Sequence, residues 1–158
     1  MDAVTRAIQR RIKMREIKFR VWDREIEEWT NCSINNINGT IVDFYNKETG
    51  FWEDDREGER FTLCQYTGLK DKNNREIYEG DILISKASEN PKDHKMWLVS
   101  YQDGGFIIDY KHKPKDKRKR SKCETETLCE DNIWLYGMEV KGNIYENPEL
   151  LKELANDN

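Results

Sequence analysis

Gln65 to Leu83 (QYTGLKDKNNREIYEGDIL) constrains this chain more than any other stretch. It holds two bends back to back, Asp71-Lys72-Asn73-Asn74 as a turn tip and Glu79-Gly80-Asp81 behind it. Asn and Asp bond their own backbone two residues on, and Gly accepts the positive φ of a tight bend. Only Glu76 to Tyr78 lies between the bends, long enough for a brief strand. The second bend feeds directly into the apolar strand Ile82-Leu83-Ile84. A segment turned this sharply predicts short antiparallel strands curling into a small barrel, not a long helix or a layered α/β sheet. Upstream, Phe61 to Tyr66 alternates as a strand that Thr67-Gly68 is expected to close. Its inward face is ambiguous, because Phe61, Leu63 and Gln65 oppose Thr62, Cys64 and Tyr66 and both sets have apolar members.

The same period of two begins at Met14. Ile17, Phe19 and Val21 fall on one side, Lys18, Arg20 and Trp22 on the other, as in a half-buried strand. Asp23-Arg24-Glu25 reads as a turn, with Ile26 to Thr30 a short return strand. Asn31 to Asn38 has no clear pattern, and Asn38-Gly39 is a strong turn signal before a strand at Thr40 to Tyr45. Residues 46–60 read as a polar, acidic connector. Ser85 to His94 is a polar loop. Met96 to Tyr101 and Phe106 to Tyr110 form a hairpin through Gln102-Asp103-Gly104-Gly105. Leu128 to Met138 leaves two readings open, a strand or a short helix followed by one. Glu139 to Tyr145 is the last strand, with Gly142 marking a bulge or close approach. Asn147-Pro148-Glu149 then opens a helix with Leu150, Leu151 and Leu154 on an apolar face.

Residues 1–13 differ. Val4, Ile8 and Ile12 recur every four residues, the spacing of one helix face, in a segment near the minimum length for a helix. This arm is expected to fray or to dock, for instance on another subunit. Met14 also reads as a start, which would make the arm an extension.

Seventeen aromatics argue against disorder even though charged residues reach 37%. No apolar run approaches the ~18 residues of a membrane span, and no signal-peptide core is present. Cys32, Cys64, Cys123 and Cys129 make no CxxC pair, and His94 and His112 lie in polar stretches. Free thiols are therefore expected rather than a metal site or a disulfide framework, with Cys64 a small core residue.

Three segments carry a resemblance to the YopX-like family of phage and prophage proteins: MREIKFRVWD at Met14 to Asp23, the block Gln65 to Leu83, and GNIYENPELL at Gly142 to Leu151. Together they cover 39 residues. The family pattern has Gly where Asn74 stands, and Asn also tolerates the left-handed conformation. The arm at 1–13 has no counterpart in that pattern. The resemblance implies an SH3-type barrel with N-terminal additions, encoded by a virus-derived gene expressed in the cytoplasm of a bacterial host. It supplies no catalytic residue and no ligand.

The fold expected is mainly β: a small SH3-type barrel with N-terminal β additions, a short N-terminal helical arm and a C-terminal helix. Three parts are expected, the arm at 1–13, β hairpins and acidic connector at 14–60, and the barrel with a basic loop and C-terminal helix at 61–158.

Candidate sites compete with simpler explanations. Thr67-Gly68-Leu69 with Tyr78-Glu79-Gly80-Asp81 reads as a binding surface or as plain turn chemistry. Trp97, Tyr101, Trp134, Tyr136 and Tyr145 line a groove or fill the core. Glu53, Asp54 and Asp55 do not match a calcium loop. Lys111 to Lys122 carries eight Lys/Arg and one Asp, a charge of +7 that leaves −11 on the rest of a chain of net −4. That asymmetry suits a phosphate backbone or a solvated loop facing acidic residues.

The functional expectation is a non-enzymatic interaction module that forms a homo-oligomer and meets an unknown host or phage protein, with no membrane partner. The alternative is a nucleic-acid-binding protein that uses Lys117, Arg118, Lys119 and Arg120. A small enzyme of unknown chemistry comes third. No catalytic, cofactor-binding or metal-binding residue is assigned, and no cofactor is expected.

Overall fold

The computed structural model describes residues 16–30, 32–38, 41–46, 49–54, 59–85, 94–112 and 122–156. The expected arm at 1–13 lies outside them, as does 113–121 of the basic run. The chain is mainly β, with its sheets curled into a half-barrel.

The strands run β1 (Phe19–Asp23), β2 (Glu28–Thr30), β3 (Cys32–Asn38), β4 (Ile41–Asn46), β5 (Phe51–Asp54), β6 (Phe61–Lys70), β7 (Glu76–Tyr78), β8 (Asp81–Ser85), β9 (Lys95–Gln102), β10 (Gly105–His112), β11 (Lys122–Thr127) and β12 (Met138–Asn143). Helix α1 (Glu130–Tyr136) precedes β12, and α2 (Pro148–Asn156) follows it. Three antiparallel sheets result, in the orders β2-β1-β6-β7, β11-β10-β9-β8-β12 and β3-β4-β5.

Both bends form between β6 and β8. At the first, Asp71 Oδ1 accepts the Asn73 and Arg75 N–H groups at 2.8 and 2.9 Å, and Asn74 takes φ +67. At the second, Gly80 takes φ +81, and a Cβ there would lie 2.9 Å from the Tyr145 ring. The β9–β10 hairpin turns on Asp103 and Gly104, both at positive φ, as a two-residue connection requires.

Strand β8 is buried at every position because β9 and β12 flank it and both of its faces are covered. Leu83 faces the main core with Ile77, Trp97, Val99, Ile108, Ile133 and Met138. Ile82 and Ile84 face a second cluster with Met96 and Leu150. Leu150 and Leu154 of α2 pack there, whereas Leu151 is rotated toward solvent. The bulge expected at Gly142 is present as a register shift between Val140 and Gly142. The close approach is real too: a Gly142 Cβ would meet Asn147 Oδ1 and come 2.9 Å from Leu150 Cδ1. Cys64 is fully buried.

Four expectations need correction. Asn31 to Asn38 is mostly strand β3, and a register shift between Ile34 and Asn36 breaks the alternation that would have revealed it. The connector at 46–60 contains β5, which pairs Phe51 with Asn46 and Trp52 with Tyr45. Thr67-Gly68 does not close its strand, because β6 runs on to Lys70 through an irregularity with Gly68 at φ +85. Ile17 is 68% exposed and lies before β1, whose Val21 and Trp22 are both buried. The proposed division at residue 60 falls between β5 and β6, and β6 shares a sheet with β1.

Candidate functional site

Among the described residues, two of the places that bring chemistry-bearing side chains together bear on a site. The first lies where the β1 sheet meets β8. Arg20 reaches from β1 to form an ion pair with Asp81 at the head of β8. Its guanidinium lies between the Trp29 ring, 4.2 Å away, and the Tyr78 ring, 4.8 Å away. Asp81 is 1% exposed and also accepts the Tyr78 N–H at 2.8 Å. Burial raises the Asp81 carboxyl above its ordinary value, against the opposing pull of Arg20. Trp22 stacks on Tyr145 at 5.7 Å and meets Trp29 edge-on at 5.1 Å. The Cys64 thiol and the Tyr145 phenol are both raised by burial, so neither is poised as a nucleophile. Nearby, hydrogen bonding from Lys18 lowers the Glu76 carboxyl, and burial followed by the Glu76 bond pushes the Tyr78 phenol up to about 12. This cluster spends its charges on internal contacts and acts as a lock between sheets.

The second place is open. The end of β6, the turn after it and α1 enclose a cavity of about 590 Å³, within the ~300–1,000 Å³ typical of ligand sites. Tyr66, Leu69 and Ile133 supply apolar lining, Lys70 and Lys72 stand with β6 and its turn, and Glu130 and Trp134 come from α1. Lys72 pairs with Glu139 at 3.1 Å. Asp71 fixes the floor by accepting the Val140 N–H at 3.0 Å through its second oxygen, which ties the turn to β12. Helix α1 carries Glu130 and Asp131 in its first turn and stops at Gly137, whose φ of 56° lets its N–H reach the Ile133 and Trp134 carbonyls. That stop leaves Trp134 86% and Leu135 72% exposed. An aromatic platform, an apolar floor and a charged rim suit capture of a partly apolar partner. The lining residues include no Cys, Ser, Thr or His. Among the described residues no three metal-ligating side chains come together, and no helix is long and apolar enough to cross a membrane.

The sequence candidates divide accordingly. Gly80, Asp81 and Tyr78 serve the turn and the Arg20 lock, whereas Gly68 and Leu69 line the cavity. The five aromatics do not form one strip. Trp97 is buried against Tyr136 and Tyr110, Tyr101 packs on Phe106, Tyr145 joins Trp22, and Trp134 alone of the five lines the cavity. Lys117, Arg118, Lys119 and Arg120 lie outside the described residues. The ladder beside them is described: β10 and β11 pair up to His112 with Lys122. The cavity was not anticipated. Acidic residues at 130–131 with Gly at 137 are start and stop signals that would have selected the helical reading of 128–138.

A family model described as YopX protein matches residues 18–152. No curated protein matches the chain. Among solved structures, protein EF1440 from Enterococcus faecalis is similar at 28% identity and a TM-score of 0.61, over 86% of this chain and 98% of that one. Protein yopX from Bacillus subtilis is similar in fold at 20% identity and a TM-score of 0.55, over 84% of this chain and 94% of that one.

Proposed function

This chain belongs to the YopX protein family, and on that premise we propose that it is a non-enzymatic, self-associating interaction module of phage or prophage origin, working in the cytoplasm of a bacterial host. The observation that carries the reading is the pairing of an open cavity that Trp134, 86% exposed, lines from α1 with Leu135, 72% exposed, as the next residue of that helix. Neighbouring large apolar side chains left in water mark an interaction surface. The exposed Phe51 and Trp52 on the edge strand β5 add a second apolar area of the same kind. The five-stranded antiparallel order β11-β10-β9-β8-β12 supports an SH3-type barrel as the scaffold. Sedimentation equilibrium of the full chain from micromolar to near-millimolar concentration tests the reading. A weight-average mass that rises to at least two chains is expected, and a single-chain mass throughout overturns it.

A second reading has one observation in its favour. The β10–β11 ladder runs as far as His112 and Lys122, so the two ends of the basic run, at 111–112 and 122, lie on a two-stranded ribbon. A ribbon of that kind fits a nucleic-acid groove. Titration with mixed oligonucleotides at low salt is expected to show binding that falls by roughly 10³-fold between 50 and 200 mM salt. Replacing Lys117, Arg118, Lys119 and Arg120 with Ser is expected to abolish it. Unchanged binding by that variant, or none by the parent chain, eliminates this reading.

A further inference from the structure

The cavity beside α1 is lined by groups of three different chemistries, an aromatic face, a cation and hydrogen-bonding side chains. The geometry points to a binding site for a free nucleoside phosphate, with the base stacked on Trp134, the phosphate on Lys70 and an amino-bearing base edge at Glu130 and Asn74. The inference goes beyond the self-association proposed above and does not rest on it.

Four observations support it. First, Trp134 lines the cavity and is exposed, and an aromatic face in water stacks on any nucleobase. Leu69 and Ile133 add apolar surface to the same lining. Second, the lining carries a cation that nothing neutralises directly. Lys70 is exposed at the end of β6 and forms no ion pair among the described residues. Glu76, opposite it across the β6–β7 pairing, holds Lys18 at 2.7 Å and accepts the Tyr78 hydroxyl at 2.8 Å. Lys72, the other lysine of the lining, is taken by Glu139. A lone ammonium beside an apolar surface suits a phosphate. Third, the exposed side chains of Glu130 and Asn74 make no hydrogen bond or ion pair among the described residues. A carboxylate accepts from an exocyclic amine, and a carboxamide both donates and accepts, so the two suit a base edge. An apolar peptide or a simple aromatic acid would leave both without a partner. Fourth, the frame is set in advance. Asp71 clamps the turn through three backbone N–H groups, Asn74 is held in the left-handed conformation, and Gly137 stops α1 beside the cavity. A frame already fixed loses little freedom when a ligand enters.

The test follows hydrogen exchange at 68–72 and 130–137 in the full chain at submicromolar concentration, below the range in which self-association is read, so failure here leaves that reading standing. Adenosine or cytidine monophosphate at millimolar concentration is expected to protect both segments. The nucleoside alone is expected to bind severalfold more weakly, and ribose phosphate or inorganic phosphate to give no protection. Trp134→Ser is expected to weaken nucleotide binding about tenfold or more, and Trp134→Phe, which keeps an aromatic face, to recover most of that loss. Lys70→Gln is expected to bring the nucleotide down to the affinity of the nucleoside while leaving the nucleoside unchanged, a split that a merely structural role would not produce. No protection by either monophosphate overturns the proposal, as does protection matched by ribose phosphate. Equal binding by Trp134→Ser and the parent chain also overturns it. A single-stranded tetranucleotide that protects these segments where the monophosphates do not overturns the free-nucleotide site and favours the nucleic-acid reading instead.

Discussion

Arg20→Ala is expected to destabilise the protein by about 3–5 kcal/mol, because it strands a buried carboxylate. Asp81 is 1% exposed, and its neighbouring backbone donor at Tyr78 does not replace a full positive charge. The same substitution removes the cation held between Trp29 and Tyr78, a contact worth about 2 kcal/mol where it is desolvated. For a chain of this size each kcal/mol moves the melting temperature by about 2–4 °C, so a fall of roughly 10 °C is expected. Arg20→Met combined with Asp81→Asn separates the charge from the packing. It leaves no lone ion, and its Asn side chain still offers an acceptor to the Tyr78 N–H. It is therefore expected to be clearly more stable than Arg20→Ala. Equal losses in the two variants would mean that the stranded charge is not the cause.

Asp71→Ala is expected to be the second large loss. One carboxylate serves three backbone donors, the N–H groups of Asn73, Arg75 and Val140, at 2.8, 2.9 and 3.0 Å. Leaving the buried Val140 donor unpaired costs about 1–3 kcal/mol, and each of the other two bonds contributes about 0.5–1.5 kcal/mol. Chemical denaturation should therefore show a loss of roughly 3 kcal/mol. Asp71→Asn is nearly isosteric but offers one acceptor oxygen in place of two, so it should fall between the parent and the Ala variant. If Asn matched the parent chain, the three-donor account would be wrong. Asp71 also lines the cavity, so the Ala variant should weaken self-association even at temperatures where it remains folded.

The legible parts of this fold rest on local chemistry. Asp103-Gly104 announces a hairpin because both residues adopt positive φ readily, and they do. Gly142 and Asn147-Pro148 announce the final bulge and helix for similarly local reasons. Strand β3 was hidden because its bulge breaks the period of two. Strand β5 was hidden because two aromatics sit before a run of acids that reads as a connector. The Arg20–Asp81 pair joins residues 61 positions apart, and no periodicity encodes a contact of that span. The cavity is of the same kind. Its walls come from 66–74 and 130–137, and only the curl of the sheets brings them together. Trp134 was visible as an aromatic, but its exposure depends on where α1 stops and on what packs beside it.

Sedimentation equilibrium of the full chain and of Trp134→Ser over the same concentration range tests the α1 interaction surface. Trp134 is largely in water already, so the substitution should leave the melting temperature nearly unchanged. Self-association through the α1 face predicts that the parent chain gains mass to at least two chains with rising concentration and that the variant remains single. Identical mass curves for the two, whether both single or both associated, would contradict it.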